Sequence, residues 1–459
     1  MEIDFELQKY QIPKNKLMKI LIFEQGIPMY HRSPKHFKFR FELILLIIPL
    51  IIISSGFPEL VSIIEISNTY GSYSDTTGMS VILMIGDGMG YEQVKLARWT
   101  EVGEDGKLNM ENLPYQASVT THNLNNSITD SAAAATAIST GQKTRNRILS
   151  LTPAGQSLET ILEYASALKK NVGLVSTTEI THATPAAFYA HVKSRYNYSE
   201  IARQLVDDAD IDVIMGGGKD MLTSSQISAM KVKGYTLIEN RFQMADIDKG
   251  KILGLFASGP LPYDKDRNRD IVPSLSEMTS KTLDILSQDP DGFFLVVEGG
   301  QIDWACHANN AENAALETIE FDKAVEEAKN FVVQNDNILL IVTADHETGG
   351  LTVNSNTLNE TLPSSQYTAE QGEQLRIARV QNISVHWSGT SHTNRNVPFY
   401  GLGANLISYN QTILDNTEIY EICIEYLNQV SSSQRTSGFL FLPIVTSYII
   451  WFILRKIKK

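Results

Sequence analysis

The stretch Ser80-Val-Ile-Leu-Met-Ile-Gly-Asp-Gly-Met-Gly90 decides how the rest of the chain is read. Its first seven residues are apolar almost throughout and do not alternate, which describes a strand covered on both faces, as in a parallel sheet. An acid and two glycines follow at once, and a helix is expected to run on through Thr100. Further strand candidates lie at 171–176, 212–215, 292–298, 337–343 and 397–402, with helical patterns at 156–170, 199–208 and 313–334 between them. Ser274-Leu-Ser-Glu277 is a capping box that opens another helix to Ser287. Alternation on this scale predicts a three-layer α/β/α sandwich with a large, mostly parallel central sheet. Residues 354–387 are polar with little apolar rhythm and are expected to form a small inserted cap.

Ligands of such sheets gather at the carboxyl ends of the strands, and polar residues turn up where the apolar runs stop. Asp87 follows the first strand. Glu298 ends Phe293-Phe-Leu-Val-Val-Glu298, and Asp303 and His307 come after it. Asp345-His346 follows the run at 338–344, and His392 precedes the last strand. Each alone is explained by a cap, a turn or a surface histidine. Asp303 and His307 are spaced by four, which puts both on one face of a helical turn, as a shared metal requires. Mixed histidine and carboxylate ligands suit zinc, whereas an all-oxygen group around Asp87 and Glu298 suits magnesium.

The stretch Ile128-Thr-Asp-Ser-Ala-Ala-Ala-Ala-Thr-Ala-Ile-Ser-Thr-Gly141 sets Asp130 and Ser131 before a run of small residues. It reads either as a capped packing helix or as a helix whose N–H groups and positive end face an anion. Gly216-Gly-Gly-Lys219 lacks the spacing of a phosphate-binding loop and reads as a turn.

The ordered set of motifs resembles alkaline phosphatases across about residues 80–402. The residues that carry the resemblance are Ile85-Gly-Asp-Gly-Met-Gly90, Thr129-Asp-Ser-Ala132, Thr181-His-Ala-Thr-Pro-Ala-Ala187 with His191-Val-Lys-Ser-Arg195, Val297-Glu-Gly-Gly-Gln-Ile-Asp303 with His307, Thr343-Ala-Asp-His-Glu-Thr-Gly-Gly350, and Ser391-His392. The resemblance implies a phosphomonoesterase, active at alkaline pH and with low specificity for the alcohol, in which Ser131 forms a phosphoserine intermediate. It implies one zinc on Asp87, Asp345 and His346, a second on Asp303, His307 and His392, and Arg195 gripping phosphate oxygens. Asp130 is expected to orient Arg195. A third, magnesium-type site would take Asp87, Glu298 and Thr184, with His182 where the best-known bacterial pattern has a carboxylate. Trp304 stands where that pattern has lysine. Imidazole is softer than carboxylate, so zinc or cobalt could compete with magnesium there. His122, His191 and Cys306 are expected to be structural. A phosphodiesterase of the same fold and an inactive phosphate-binding surface protein are the alternatives. The family usually forms dimers.

The net charge of −13 hides basic ends, so the body between them is more acidic still and gives no nucleic-acid-binding surface. Bound cations would let such a body hold phosphate. Residues 1–56 are expected to be a basic leader with a signal peptide or N-terminal anchor built on the apolar run 43–53. Residues 57–430 are expected to be the catalytic domain and 431–437 a polar linker. Residues 438–459 would form a C-terminal transmembrane anchor with a basic tail, retained or removed by processing. Both basic flanks point inward, which places the body outside the cytoplasm.

Overall fold

The computed structural model of the chain describes residues 78–356, 369–403 and 406–429. The stretches expected to form a leader, a linker and a C-terminal anchor lie outside the described residues, and so does part of the expected insertion. Among the described residues no helix is long and apolar enough to cross a membrane.

The strands in chain order are β1 (Ser80–Gly86), β2 (Tyr115–Thr120), β3 (Asn171–Glu179), β4 (Val213–Gly217), β5 (Thr236–Ile238), β6 (Ile252–Leu255) and β7 (Phe293–Gly299). There follow β8 (Ile338–Thr343), β9 (Glu347–Thr348), β10 (Leu351–Asn356), β11 (Ile383–Trp387), β12 (His392–Thr393), β13 (Val397–Leu402) and β14 (Ile413–Asp415). Ten of them form one sheet in the order β14-β2-β13-β8-β1-β7-β3-β4-β6-β5. Only β13 runs antiparallel to its neighbours, β8 and β2. With helices packed against it, this is the α/β sandwich that the strand–helix alternation predicts.

β1 is central because every one of its residues is buried, which an edge or half-solvated strand would not allow. Its register fixes the site. Ile85 is paired with Glu298 on β7 and with Thr343 on β8, and Ser176 of β3 is also level with Glu298. The carboxyl ends of β8, β1 and β7 therefore stop at one level, with β3 running on beside them to Glu179. Asp87 and Asp345 each lie two residues past the matched pair Ile85 and Thr343, so the register brings them to the same height.

The helix expected over 156–170 is shorter, Ile161–Ala167, because Thr160 caps it and Glu163 returns the bond to the Thr160 N–H. β2, β5, β6 and β14 were not expected. The inserted region has more order than its polarity suggests. β10 and β11 pair as an antiparallel ribbon, and the helix Ala369–Val380 lies between them in sequence. Leu351, Val353, Val380 and Ile383 form a small core with Leu96, Trp99 and Ala315.

Candidate active site

Ser131 is the first residue of the helix Ser131–Thr140, all ten residues of which are buried. Asp130 is its N-cap and accepts the Ala133 N–H at 3.0 Å. Seven of the ten residues are alanine or serine, and so small a surface lets this helix lie close against the turn Ala183–Ala186 and the helix Glu418–Leu427. The Asp130 carboxylate also accepts the Arg147 N–H at 2.9 Å and lies 3.6 Å from Arg195 Nη1. That contact is the orienting one expected of Asp130. Arg195 Nη2 meets His182 Nε2 at 2.9 Å, and His182 stands edge-on to Trp304, 6.0 Å between ring centres.

Three sets of ligand atoms surround this serine, each within 4.8 Å of one another: Asp87, Asp345 and His346; Asp303, His346 and His392; Asp87, His182 and Glu298. Ser131 Oγ lies 3.3 Å from His346 Nε2. The second set differs from expectation in one member, His346 in place of His307. His307 is nonetheless close, with Nε2 at 3.2 Å from Asp303 Oδ2 and 3.1 Å from His392 Nε2. The His346 and His392 rings stack at 3.6 Å, so His346 sits between two of the sets. Gly88 is required here. Its φ is 73°, and a Cβ would come within 2.8 Å of Asp303 Oδ1.

The donor set tests whether cations fit. Both oxygens of Asp87, Asp345 Oδ2, Glu298 Oε1, His182 Nδ1 and Thr184 Oγ1 are buried without a hydrogen-bond partner. A buried carboxylate left unpaired costs several kcal/mol, so native proteins pair it or bind metal there. Burial pushes Asp87 well up, and the Asp345, Asp303 and Glu298 carboxylates push it further. Asp345 is raised by burial and by Asp303. His346 is held well down by burial and by His392. Burial works against ionised Asp303 too, but the His307 hydrogen bond and the neighbouring imidazoles hold it low. His307 rises to about 9, chiefly through Asp303. Carboxylates this crowded repel one another, and divalent cations on these residues would remove both the repulsion and the missing bonds. The residues fit all three ion positions.

Several supporting residues carry no signal in isolation. Ser176 and Thr178 both donate to Glu298 Oε2, the latter at 2.9 Å, and Thr348 donates to Asp303 Oδ1. Buried Gln93 donates to Glu347 Oε1 at 2.9 Å and to the Thr348 carbonyl at 2.8 Å. Glu347 and Thr348 stand inside a motif already quoted; Gln93 is marked only by its place three residues into a helix after Gly90. His191 bridges the Ser150 carbonyl and Glu163, each at 2.8 Å, and Cys306 is buried, its thiol raised by burial. His122 lies away from the cluster, 3.8 Å from Asp415. None of the three belongs to a ligand set among the described residues.

The family model described as alkaline phosphatase matches residues 79–412. Alkaline phosphatase 3 of Bacillus subtilis (strain 168) is 41% identical over 288 residues, 60% of this chain and 62% of that protein, so the match spans less than two thirds of its length. Alkaline phosphatase 4 of the same organism is 33% identical over 409 residues, covering 76% of this chain and 88% of that one. Among solved structures, the cold-active alkaline phosphatase from the psychrophile Shewanella sp. is 30% identical with a TM-score of 0.67, over 76% of this chain and 100% of that one. The chain belongs to the alkaline phosphatase family of phosphomonoester hydrolases.

Proposed function

We propose that this chain hydrolyses phosphate monoesters to an alcohol and inorganic phosphate, with Ser131 as nucleophile. One observation carries the reading: the Ser131 hydroxyl lies 3.3 Å from His346 Nε2, at a helix start, beside buried carboxylate oxygens that have no hydrogen-bond partner. Asp87, Asp345 and His346 would hold one zinc, and Asp303, His307 and His392 a second. Asp87, Glu298, Thr184 and His182 would hold magnesium, with zinc or cobalt as competitors. Bound there, such ions supply positive charge that acidifies the serine hydroxyl and neutralises the phosphate and the departing oxygen.

The chain's own residues do the rest. The Ser131 Oγ–phosphorus bond forms as the phosphorus–alcohol oxygen bond breaks, leaving phosphoserine. Water then breaks the Oγ–phosphorus bond, which restores the hydroxyl and frees phosphate. The planar fork of Arg195, braced by Asp130 and His182, binds two phosphate oxygens and orients the group for in-line attack. The N–H groups and positive end of the helix Ser131–Thr140 favour the same negative charge.

The test is release of phosphate from p-nitrophenyl phosphate by the purified chain and by Ser131→Ala. The substitution should cost at least about a thousandfold in kcat/KM with the fold intact, since the nucleophile is otherwise irreplaceable. A variant as active as the parent would overturn the mechanism. Elemental analysis after dialysis checks the three ion positions separately. The apolar runs at 43–53 and 438–454, each flanked by basic residues, support an outward-facing body tethered at its C-terminal end. The intact mass of the mature protein from membranes decides between retention and removal of either run.

A further inference from the structure

The cavity above Ser131 has a volume of about 560 Å3, and its outer wall includes Arg147, Tyr196, Tyr198, Met221, Trp304 and Glu179. A phosphoryl group seated on the ligand cluster leaves that wall free for the rest of the substrate. Arg147 is the unusual member. Its φ is 75°, in the left-handed region, which costs an L side chain about 1 kcal/mol and which glycine or asparagine adopts more cheaply. It is strapped in place at both ends of its peptide units. Its N–H donates to Asp130 Oδ2 at 2.9 Å, and its carbonyl accepts the Arg195 N–H at 2.7 Å.

Those backbone bonds would be met by any residue, so they do not account for an arginine. The side chain lies over the Tyr196 ring, 5.7 Å from its centre, and Tyr196 is 59% exposed. With the described residues the Arg147 guanidinium makes neither an ion pair nor a hydrogen bond. Arg195, by contrast, is engaged by Asp130 and His182. The wall thus holds a guanidinium with open donors, lying over an aromatic ring, in a chain of net charge −13. Donors in a rigid fork match phosphate oxygens, and the ring attracts the cation from its other side.

We infer that Arg147 and Tyr196 form a leaving-group subsite that favours monoesters whose alcohol carries a second phosphate, such as a sugar bisphosphate. This rests on the phosphomonoesterase reading. The Glu179 carboxylate on the same wall would turn a second anion away from itself and toward Arg147.

The experiment compares kcat/KM for fructose 1,6-bisphosphate and fructose 6-phosphate in the full chain, in Arg147→Asn and in Arg147→Lys. Asparagine tolerates the left-handed backbone, so its effect reports the lost guanidinium and not a refolded loop. The bisphosphate-to-monophosphate ratio should fall about five- to tenfold in Arg147→Asn, mainly through KM, as for loss of one charge-assisted contact. Arg147→Lys should keep a larger part of the preference, and about 0.3 M salt should shrink it in the parent. An unchanged ratio in Arg147→Asn overturns the subsite, including the case where both substrates lose rate equally. A parent chain that hydrolyses neither sugar phosphate nor p-nitrophenyl phosphate overturns the phosphomonoesterase reading itself.

Discussion

Two regions of this molecule bury charge, and they do it in opposite ways. Where the inserted region docks on the helix Tyr91–Glu101, opposite charges meet. Arg376 forks onto Glu101 and Arg379 donates to the Thr100 carbonyl at 3.2 Å, while Glu373 of the insertion meets Arg269 from the neighbouring loop. At the strand ends, carboxylates face carboxylates. Asp87 has no hydrogen-bond partner at all, although it is fully buried. The first arrangement is complete as protein and holds two pieces together. The second is incomplete as protein, and what it lacks is positive charge. Unpaired burial separates a binding site from a docking surface more sharply than the amount of charge does.

Metal removal should break this contrast with the largest effect. Extensive dialysis against a chelator is expected to abolish phosphatase activity and lower the melting temperature by about 10 °C. Each ion bound well above its dissociation constant contributes about 4 kcal/mol. Restored zinc and magnesium should recover both. Differential scanning calorimetry reads this directly, and an unshifted transition would mean that the carboxylates are neutralised by protons instead. Next in size, Thr348→Val removes the hydroxyl that holds Asp303 in place. Supporting residues of metal ligands are worth about tenfold or more in affinity or activity. The variant should therefore show a raised zinc dissociation constant with little change in melting temperature of the loaded protein.

Arg376→Met probes the opposite region. It leaves Glu101 half-buried without its partner, at a cost of about 1–2 kcal/mol by chemical denaturation. Phosphatase kinetics should stay at the parent level, because Arg376 touches none of the strand-end residues. A loss of activity equal to the loss at the strand ends would erase the distinction between the two regions.

The sequence exposes these regions unequally, for physical reasons. β1, β7 and β8 are legible because a strand buried on both faces must be apolar at every position. β5 and β14 have three residues each, too few for any period to register, and β6 has four, one of them Gly254. β2 does alternate, with Tyr115, Ala117 and Val119 toward the core, but three such residues are too short a run to mark it. Asp87, Glu298 and Asp345 were legible because each falls at or just past the end of such a run. Their supports were not. Gln93 meets Glu347 across 254 positions and Thr348 meets Asp303 across 45, so neither pairing leaves a local spacing. The insertion escaped for a related reason. Its buried apolar residues Val380 and Ile383 are too few to form a rhythm, and they meet Leu351 and Val353 only on Leu96, Trp99 and Ala315.

Glu317 offers a third way to bury an acid, and the smallest of the expected effects. It sits inside the helix Ala311–Gln334, 5% exposed, and accepts the Asp264 N–H. Burial pushes it up to about 8, with the Asp264 and Glu320 carboxylates adding to the shift and Arg267 opposing it. Glu317 is in no ligand cluster among the described residues, and a proton would do here what cations would do at Asp87. The sign follows from linkage. The folded state binds the proton more tightly than the unfolded chain, whose glutamate titrates near 4.5. Its contribution is therefore complete below that value and is lost as pH rises toward about 8, after which stability levels off. Glu317→Gln keeps the acceptor for Asp264 and cannot ionise. Compared with the parent in the same metal-loaded state, it should match the melting temperature at pH 5 and exceed it by about 2–4 °C at pH 9. Titration of the strand-end groups is common to both proteins and cancels in the difference. A difference that does not change with pH would mean that Glu317 stays charged in the fold, and that a buried acid here tolerates its charge without either a proton or a metal.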